Sequence, residues 1–90
     1  MDKKPAEGHR VHFDSFNVTT TPVRLVGAGT RQAVVFVNSG DEIRLGYSGS
    51  IATQGIIIPA DQGFTDNYSS DEWWAYCPSG TGTVSGFLVI

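Results

Sequence analysis

Two histidines, two pairs of adjacent carboxylates and one thiol are the side chains of this sequence best equipped for catalysis or metal binding. His9 and His12 lie in the opening stretch MDKKPAEGHRVHFDS, where neither helical nor strand periodicity exists to orient an imidazole. No Cys, Asp or Glu stands at a ligand spacing from them, so they read as solvated residues and no metal is expected. Asp41-Glu42 and Asp71-Glu72 are of the type glycosidases use. Adjacent residues on a strand diverge to opposite faces, so neither pair can act on one bond. Asp61, Asp66 and Asp71 lack the alternating pattern of a calcium loop. Ser79-Gly80-Thr81-Gly82-Thr83 has the composition of a phosphate loop without a following helix. Cys77, beside Pro78, has no partner to lower its pKa and reads as a buried thiol. No catalytic residue, no cofactor and no enzyme activity are expected.

The elements that would hold these residues are strands. From Phe16 onward Val and Thr dominate, with Gly, Ser, Asn, Asp and Pro punctuating at short intervals. FNVTTTPVRLV, RQAVVFVN, EIRLGY, GIIIPA, GFTDN, DEWWAYC and VSGFLVI read as strands, and Pro22 marks an edge or a break between two short ones. Asn38-Ser39-Gly40-Asp41 is the strongest hairpin signal. SGSIATQG reads as loop, and no window of ten residues carries helical spacing. The expected fold is all-β: a single antiparallel β-sandwich, jelly-roll-like, of seven or eight short strands over residues 16–90. Residues 1–15, charged and apolar-poor, read as an extended N-terminal arm.

Ninety residues make one domain, and one this small buries only about 60–65% of its unfolded surface. A single cysteine rules out an intrachain disulfide, which leaves oligomerisation as the common remedy. Lys+Arg 6 against Asp+Glu 9 gives a net charge of −3, so nucleic acid is not an expected partner. The two lysines near the start precede no apolar segment, so no signal peptide is expected, and no apolar run approaches the ~20 residues of a membrane helix. Synthesis in a cytoplasm and no membrane partner are the expectation.

Three strands are apolar on both faces. VVFV places Val34 and Phe36 on one face and Val35 and Val37 on the other. In Ile56-Ile57-Ile58, Ile57 points away from its neighbours. In DEWWAYC, Trp73, Ala75 and Cys77 share one face, while Glu72, Trp74 and Tyr76 share the other. A two-sheet sandwich has one core. Trp73, in the smaller and more apolar row, is assigned to it, which leaves Trp74 and Tyr76 as an outward aromatic pair suited to an interface or a ligand platform. Trp74, Tyr76, Ile57, Val35 and Val37 are therefore the expected contacts between protomers.

The order of turn motifs along residues 17–90 carries a resemblance. Thr21-Pro22-Val23, Val37-Asn38-Ser39-Gly40, Leu45-Gly46-Tyr47-Ser48-Gly49, Gly55-Ile56-Ile57-Ile58-Pro59-Ala60 and Tyr76-Cys77-Pro78-Ser79-Gly80-Thr81 together resemble the small β-sandwich virion proteins encoded near the capsid genes of tailed bacteriophages. The resemblance implies a decoration (cement) protein on the outer surface of the head, a homo-oligomer, often a trimer, whose partner is the major capsid protein. The twin tryptophans, Cys77 and the N-terminal arm depart from the pattern and leave room for another station, such as a tail or head–tail connector. On the cement reading, Lys3, Lys4, Arg10 and Phe13 of the arm are the expected shell contacts, with Phe13 as apolar anchor. A carbohydrate-binding module is the alternative, with Trp74 and Tyr76 as stacking platform and Asp71 or Glu72 accepting from sugar hydroxyls.

Overall fold

The computed structural model describes residues 10–52 and 54–90, with the side chains of Asp14, Ile51 and Ala52 outside that description. Eight strands run in the order β1 (Arg10–Val18), β2 (Val23–Val26), β3 (Ala33–Asn38), β4 (Ile43–Gly46), β5 (Ile56–Ile58), β6 (Gln62–Asp66), β7 (Trp73–Tyr76) and β8 (Gly82–Val89). One helical turn, α1 (Gly49–Ala52), lies in the loop after β4. The strands form two four-stranded antiparallel sheets ordered β1-β8-β3-β6 and β2-β7-β4-β5. This interleaving, in which only β4–β5 joins sequence neighbours within a sheet, is the jelly roll.

The core follows from the alternation of each strand. Val34 and Phe36 of β3 and Val84 of β8 meet Ile43 and Leu45 of β4, Ile58 of β5 and Trp73 and Ala75 of β7 between the sheets. Val35, Val37 and Ile57 turn outward, as the sequence predicts; Val37 is 45% and Ile57 53% exposed.

Two sequence expectations change. The arm assigned to residues 1–15 is, from Arg10 onward, an edge strand paired with β8 along Arg10↔Val89 to Phe13↔Gly86. A register shift between Phe13 and Phe16 breaks the two-residue period, so Phe13, Phe16 and Val18 all pack inward despite their uneven spacing. Phe13, expected to anchor the arm on a shell, instead lies 5.8 Å from Phe16 and 6.0 Å from Phe36, ring centre to ring centre. It also covers Gly86, where an added Cβ would stand 3.1 Å from Phe13 and would collide with the Val35 carbonyl oxygen.

The second change concerns Asn38–Asp41. It is not a hairpin, because β3 and β4 belong to different sheets. The turn is a corner held by the buried Asn38 amide. Asn38 Nδ2 donates to the carbonyls of Asp41 (2.8 Å), Ile58 (3.3 Å) and Pro59 (3.4 Å), while Oδ1 accepts from the N–H groups of Gly40 (3.0 Å) and Thr83 (3.3 Å). One side chain on β3 thus satisfies backbone of β5, β8 and the loops before β4 and after β5. Removing it strands several buried polar groups at once. Asn38→Ala is expected to cost about 3 kcal/mol, since each orphaned buried group costs on the order of 1–3 kcal/mol; urea denaturation followed by tryptophan fluorescence measures it.

Candidate functional site

The sandwich offers three places for function: one end, where polar groups converge, and its two outer faces. At the end formed by the β2–β3, β4–β5 and β6–β7 loops, Asp66 closes β6 fully buried. Its carboxylate accepts from the N–H groups of Tyr68 and Ser69 (both 3.1 Å), from the Ser69 hydroxyl and from the Trp73 indole Nε1 (2.9 Å). Arg31, with a side chain 3% exposed, sets Nη2 3.5 Å from Asp66 Oδ2 and donates from the same nitrogen to the Asp71 carbonyl at 2.6 Å. Desolvation pushes the Asp66 carboxyl pKa up. The Ser69 hydroxyl, the Trp73 indole and the two backbone donors outweigh it, so the group titrates below its ordinary value. This buried ion pair fastens the β2–β3 and β6–β7 loops to Trp73.

The acidic residues singled out in the sequence are dispersed over the sandwich. Asp66 spends its oxygens on protein donors, and Asp71 is exposed. Asp61 lies at the opposite end, its N–H donating to the Asn38 carbonyl at 2.8 Å, so the three do not converge. Asp41 accepts from the Thr81 N–H (3.0 Å), and Glu42 lies 3.9 Å from Arg44. Cys77 is a buried free thiol with Sγ 3.3 Å from the Glu42 carbonyl. Among the described residues, no group of three or more His, Cys, Asp or Glu is placed to hold a metal ion.

The outer face of β2-β7-β4-β5 carries Trp74, Tyr76 and Ile57. Cross-strand pairing aligns Tyr76 and Ile57 on either side of Arg44, and sets Trp74 between Arg24 and Gly46. Trp74 is less open than the sequence reading has it. Its Nε1 donates to Glu72 at 3.2 Å, Glu72 lies 3.8 Å from Arg24, and α1 packs over β7 so that a Cβ at Gly49 would touch the indole at 3.4 Å. A loop of the same chain packs against this ring, and Trp74 and Tyr76 are both half-buried. A separate cleft of about 310 Å³, which Trp74 does not line, lies where the β4–β5 loop meets the core side, bounded by Leu45, Tyr47, Gln54, Ile56 and Trp73. Its lining suits an apolar group better than sugar hydroxyls.

The outer face of β1-β8-β3-β6 carries Val35 and Val37, together with Phe87 and Val89, which the sequence reading did not single out. Alternation from the buried Val84 gives the signal that finds them. Register aligns His12, Phe87, Val35 and Thr65 in one row across the four strands, with Arg10, Val89 and Ala33 in the next. The His12 ring meets Phe87 edge-on at 5.5 Å, and the Arg10 guanidinium carbon sits 5.5 Å from the centre of the same ring. Arg10, expected to reach a shell from a free arm, is therefore fixed at the margin of a sheet. Lys3, Lys4 and His9 lie outside the described residues.

Comparison with protein-family models, with curated proteins and with solved structures finds no match.

Two outcomes follow from the buried ion pair. Asp66→Ala, which leaves Arg31 buried and unpaired, is expected to destabilise the fold by about 3–5 kcal/mol, measured by chemical denaturation. Because the folded Asp66 pKa is lowered, its contribution is present above the unfolded value near 4 and is lost as pH falls through the folded one. The thermal midpoint is therefore expected to drop on acidification below about pH 4, and to drop less in Asp66→Asn.

Proposed function

We propose that this chain is a structural assembly protein, a self-associating jelly roll that works as a coat component, with a phage-head decoration (cement) role as its specific form. The observation that carries this reading is the outer face of β1-β8-β3-β6, where Phe87, Val35 and Val89, each half-buried, and the exposed Val37 form an apolar band on the sheet side that faces away from the core. The jelly roll supports it at the level of architecture alone, since viral coats and lectins both use that fold.

The mechanism is additive. Each protomer presents outward strand faces to its neighbours and to the shell. Many copies joined by modest contacts hold together through avidity. A protein that binds the assembled shell and not its free subunits shifts the balance toward the intact particle. Val35, Val37 and Ile57 remain the protomer contacts on this reading, with Tyr76 beside Ile57 and Phe87 added to the first face. Trp74, half-buried, contributes what α1 leaves accessible. With Phe13 in the core, the contact with the major capsid protein falls to the sheet faces, and to Lys3 and Lys4 of the N-terminal segment. The trimer implied by the sequence resemblance is the stoichiometry proposed for the particle.

The carbohydrate-binding alternative has less to work with. A stacking platform needs an open aromatic face, and the Trp74 indole is half-buried against α1 with its N–H engaged by Glu72.

The test is binding to shells of the virus whose genome carries the chain. Purified protein is expected to co-sediment with expanded shells and to raise their disassembly temperature. A chain that stays in the supernatant at every concentration and leaves that temperature unchanged contradicts the proposal.

A further inference from the structure

The inward rows of β4 and β5 are closed at one end and open at the other. Ile43 and its cross-strand partner Ile58 are 1% and 6% exposed. One step along, Leu45 is equally withdrawn, yet its partner Ile56 is 45% exposed and Tyr47, next in the Leu45 row, 58%. Side chains on the core side thus run past the point where the fold covers them. The cleft of about 310 Å³ lies there, over Leu45, Ile56 and the Trp73 ring.

The fold holds this gap open. The β6–β7 loop crosses the same end of the sandwich but is drawn toward the β2–β3 loop. The Ser70 carbonyl accepts from the Gly29 N–H at 3.1 Å, and the Asp71 carbonyl from Arg31 Nη2 at 2.6 Å. Asp66, buried beneath, fixes the Tyr68 and Ser69 backbone and the Trp73 indole in the same arrangement. The β4–β5 side is left without that cover. The cleft is therefore preformed, its Trp73 wall held by a buried hydrogen-bond network.

The lining sets what fits. Among the described residues that bound the cleft none is charged: Leu45, Ile56 and Trp73 are apolar, and Gln54 and Tyr47 supply an amide and a hydroxyl. An ion entering it loses water and gains no counter-charge. The Trp73 N–H is already given to Asp66 at 2.9 Å, so the indole offers its ring and not its donor. That ring meets Phe64 edge-on at 5.1 Å and Phe36 at 6.5 Å. A further ring in the cleft extends this cluster, and aromatic pairs gain stability beyond the area they bury. The volume sits near the lower bound of ligand cavities, about 300 Å³, which limits the occupant to one ring or two fused ones.

We infer that this cleft is a binding site for a small uncharged aromatic molecule, its ring against Trp73, Leu45 and Ile56 and its polar group on the Gln54 amide or the Tyr47 hydroxyl. The inference is independent of self-association, because the cleft opens at an end of the sandwich and on neither outer sheet face.

NMR titration of the full chain at fixed protein concentration, with indole and p-cresol as probes, tests it. The Leu45 and Ile56 methyl signals are expected to shift and saturate with a Kd of about 1 mM, the strength a ligand of about nine heavy atoms reaches. The outward Val35 and Val37 methyls are expected to stay fixed. Cyclohexanol, similar in size but without a π face, is expected to bind about threefold more weakly or worse. Ile56→Gln, at a position open to solvent, is expected to weaken indole about fivefold while circular dichroism still reports a folded sandwich. Shifts that fail to saturate, or that appear equally at Val35 and Val37, overturn the site. Cyclohexanol binding as tightly as indole overturns the aromatic class. A capped Gly-Trp-Gly peptide that binds about tenfold more tightly than indole overturns a free molecule as the occupant and assigns the cleft to a partner's side chain.

Discussion

A strand has two faces and a two-layer sandwich has one interior. In this chain that constraint is set against strands that are apolar on both sides. The inner faces close normally, with Val34, Phe36, Ile43, Leu45, Ala75 and Val84 almost wholly withdrawn from solvent. Among the described residues no third sheet lies over the outer ones. The fold manages them unequally: on one sheet α1 and a Glu72–Arg24 pair leave Trp74 half-buried, whereas on the other Phe87 is partly covered by Arg10 and His12 while Val37 is left open. Ile57 on the first of these sheets is open as well, so each outer face keeps apolar surface that a neighbour would cover.

The polar interior makes such a surface tolerable, because it fixes the sheets before any neighbour arrives. Asn38 ties the corner at one end through five hydrogen bonds to backbone. Asp66 ties the other, joining Arg31, Ser69 and Trp73. Each is a buried polar side chain whose bonding capacity is taken up by groups the fold would otherwise strand, and so each specifies register as well as adding stability. With both ends pinned, the rows of side chains on the outer faces hold fixed positions, as a repeated contact between copies requires.

Much of this was legible in the sequence, for reasons that can be named. Alternation separated Val34 and Phe36 from Val35 and Val37, and the composition of the two rows in DEWWAYC placed Trp73 inside and Trp74 outside. The strand at the start of the domain was hidden because its bulge spaces Phe13, Phe16 and Val18 unevenly, which erases the period that identifies a strand. The turn residues at Asn38–Asp41 signal a reversal, and the chain does reverse there, but into the other sheet and not into a hairpin. Turn chemistry records that the chain turns, not which sheet receives the next strand. The ion pair of Asp66 with Arg31 joins residues 35 positions apart and leaves no periodic trace. The run Asp66-Asn67-Tyr68-Ser69 does carry the local signal of a side chain accepting from the N–H groups two and three residues on. The coverage of Trp74 depended on a helical turn inside a stretch that reads as loop.

The claim on which the account turns is that the outward side of β1-β8-β3-β6 is a contact surface between copies. Its most direct measurement is the concentration dependence of side-chain NMR signals. The account predicts that the Val35 and Val37 methyls and the Phe87 ring shift together as protein concentration rises, while those of Val34 and Phe36 on the inner side stay nearly constant. Outward signals that remain fixed over the whole range, or that move no more than the inner ones, contradict it.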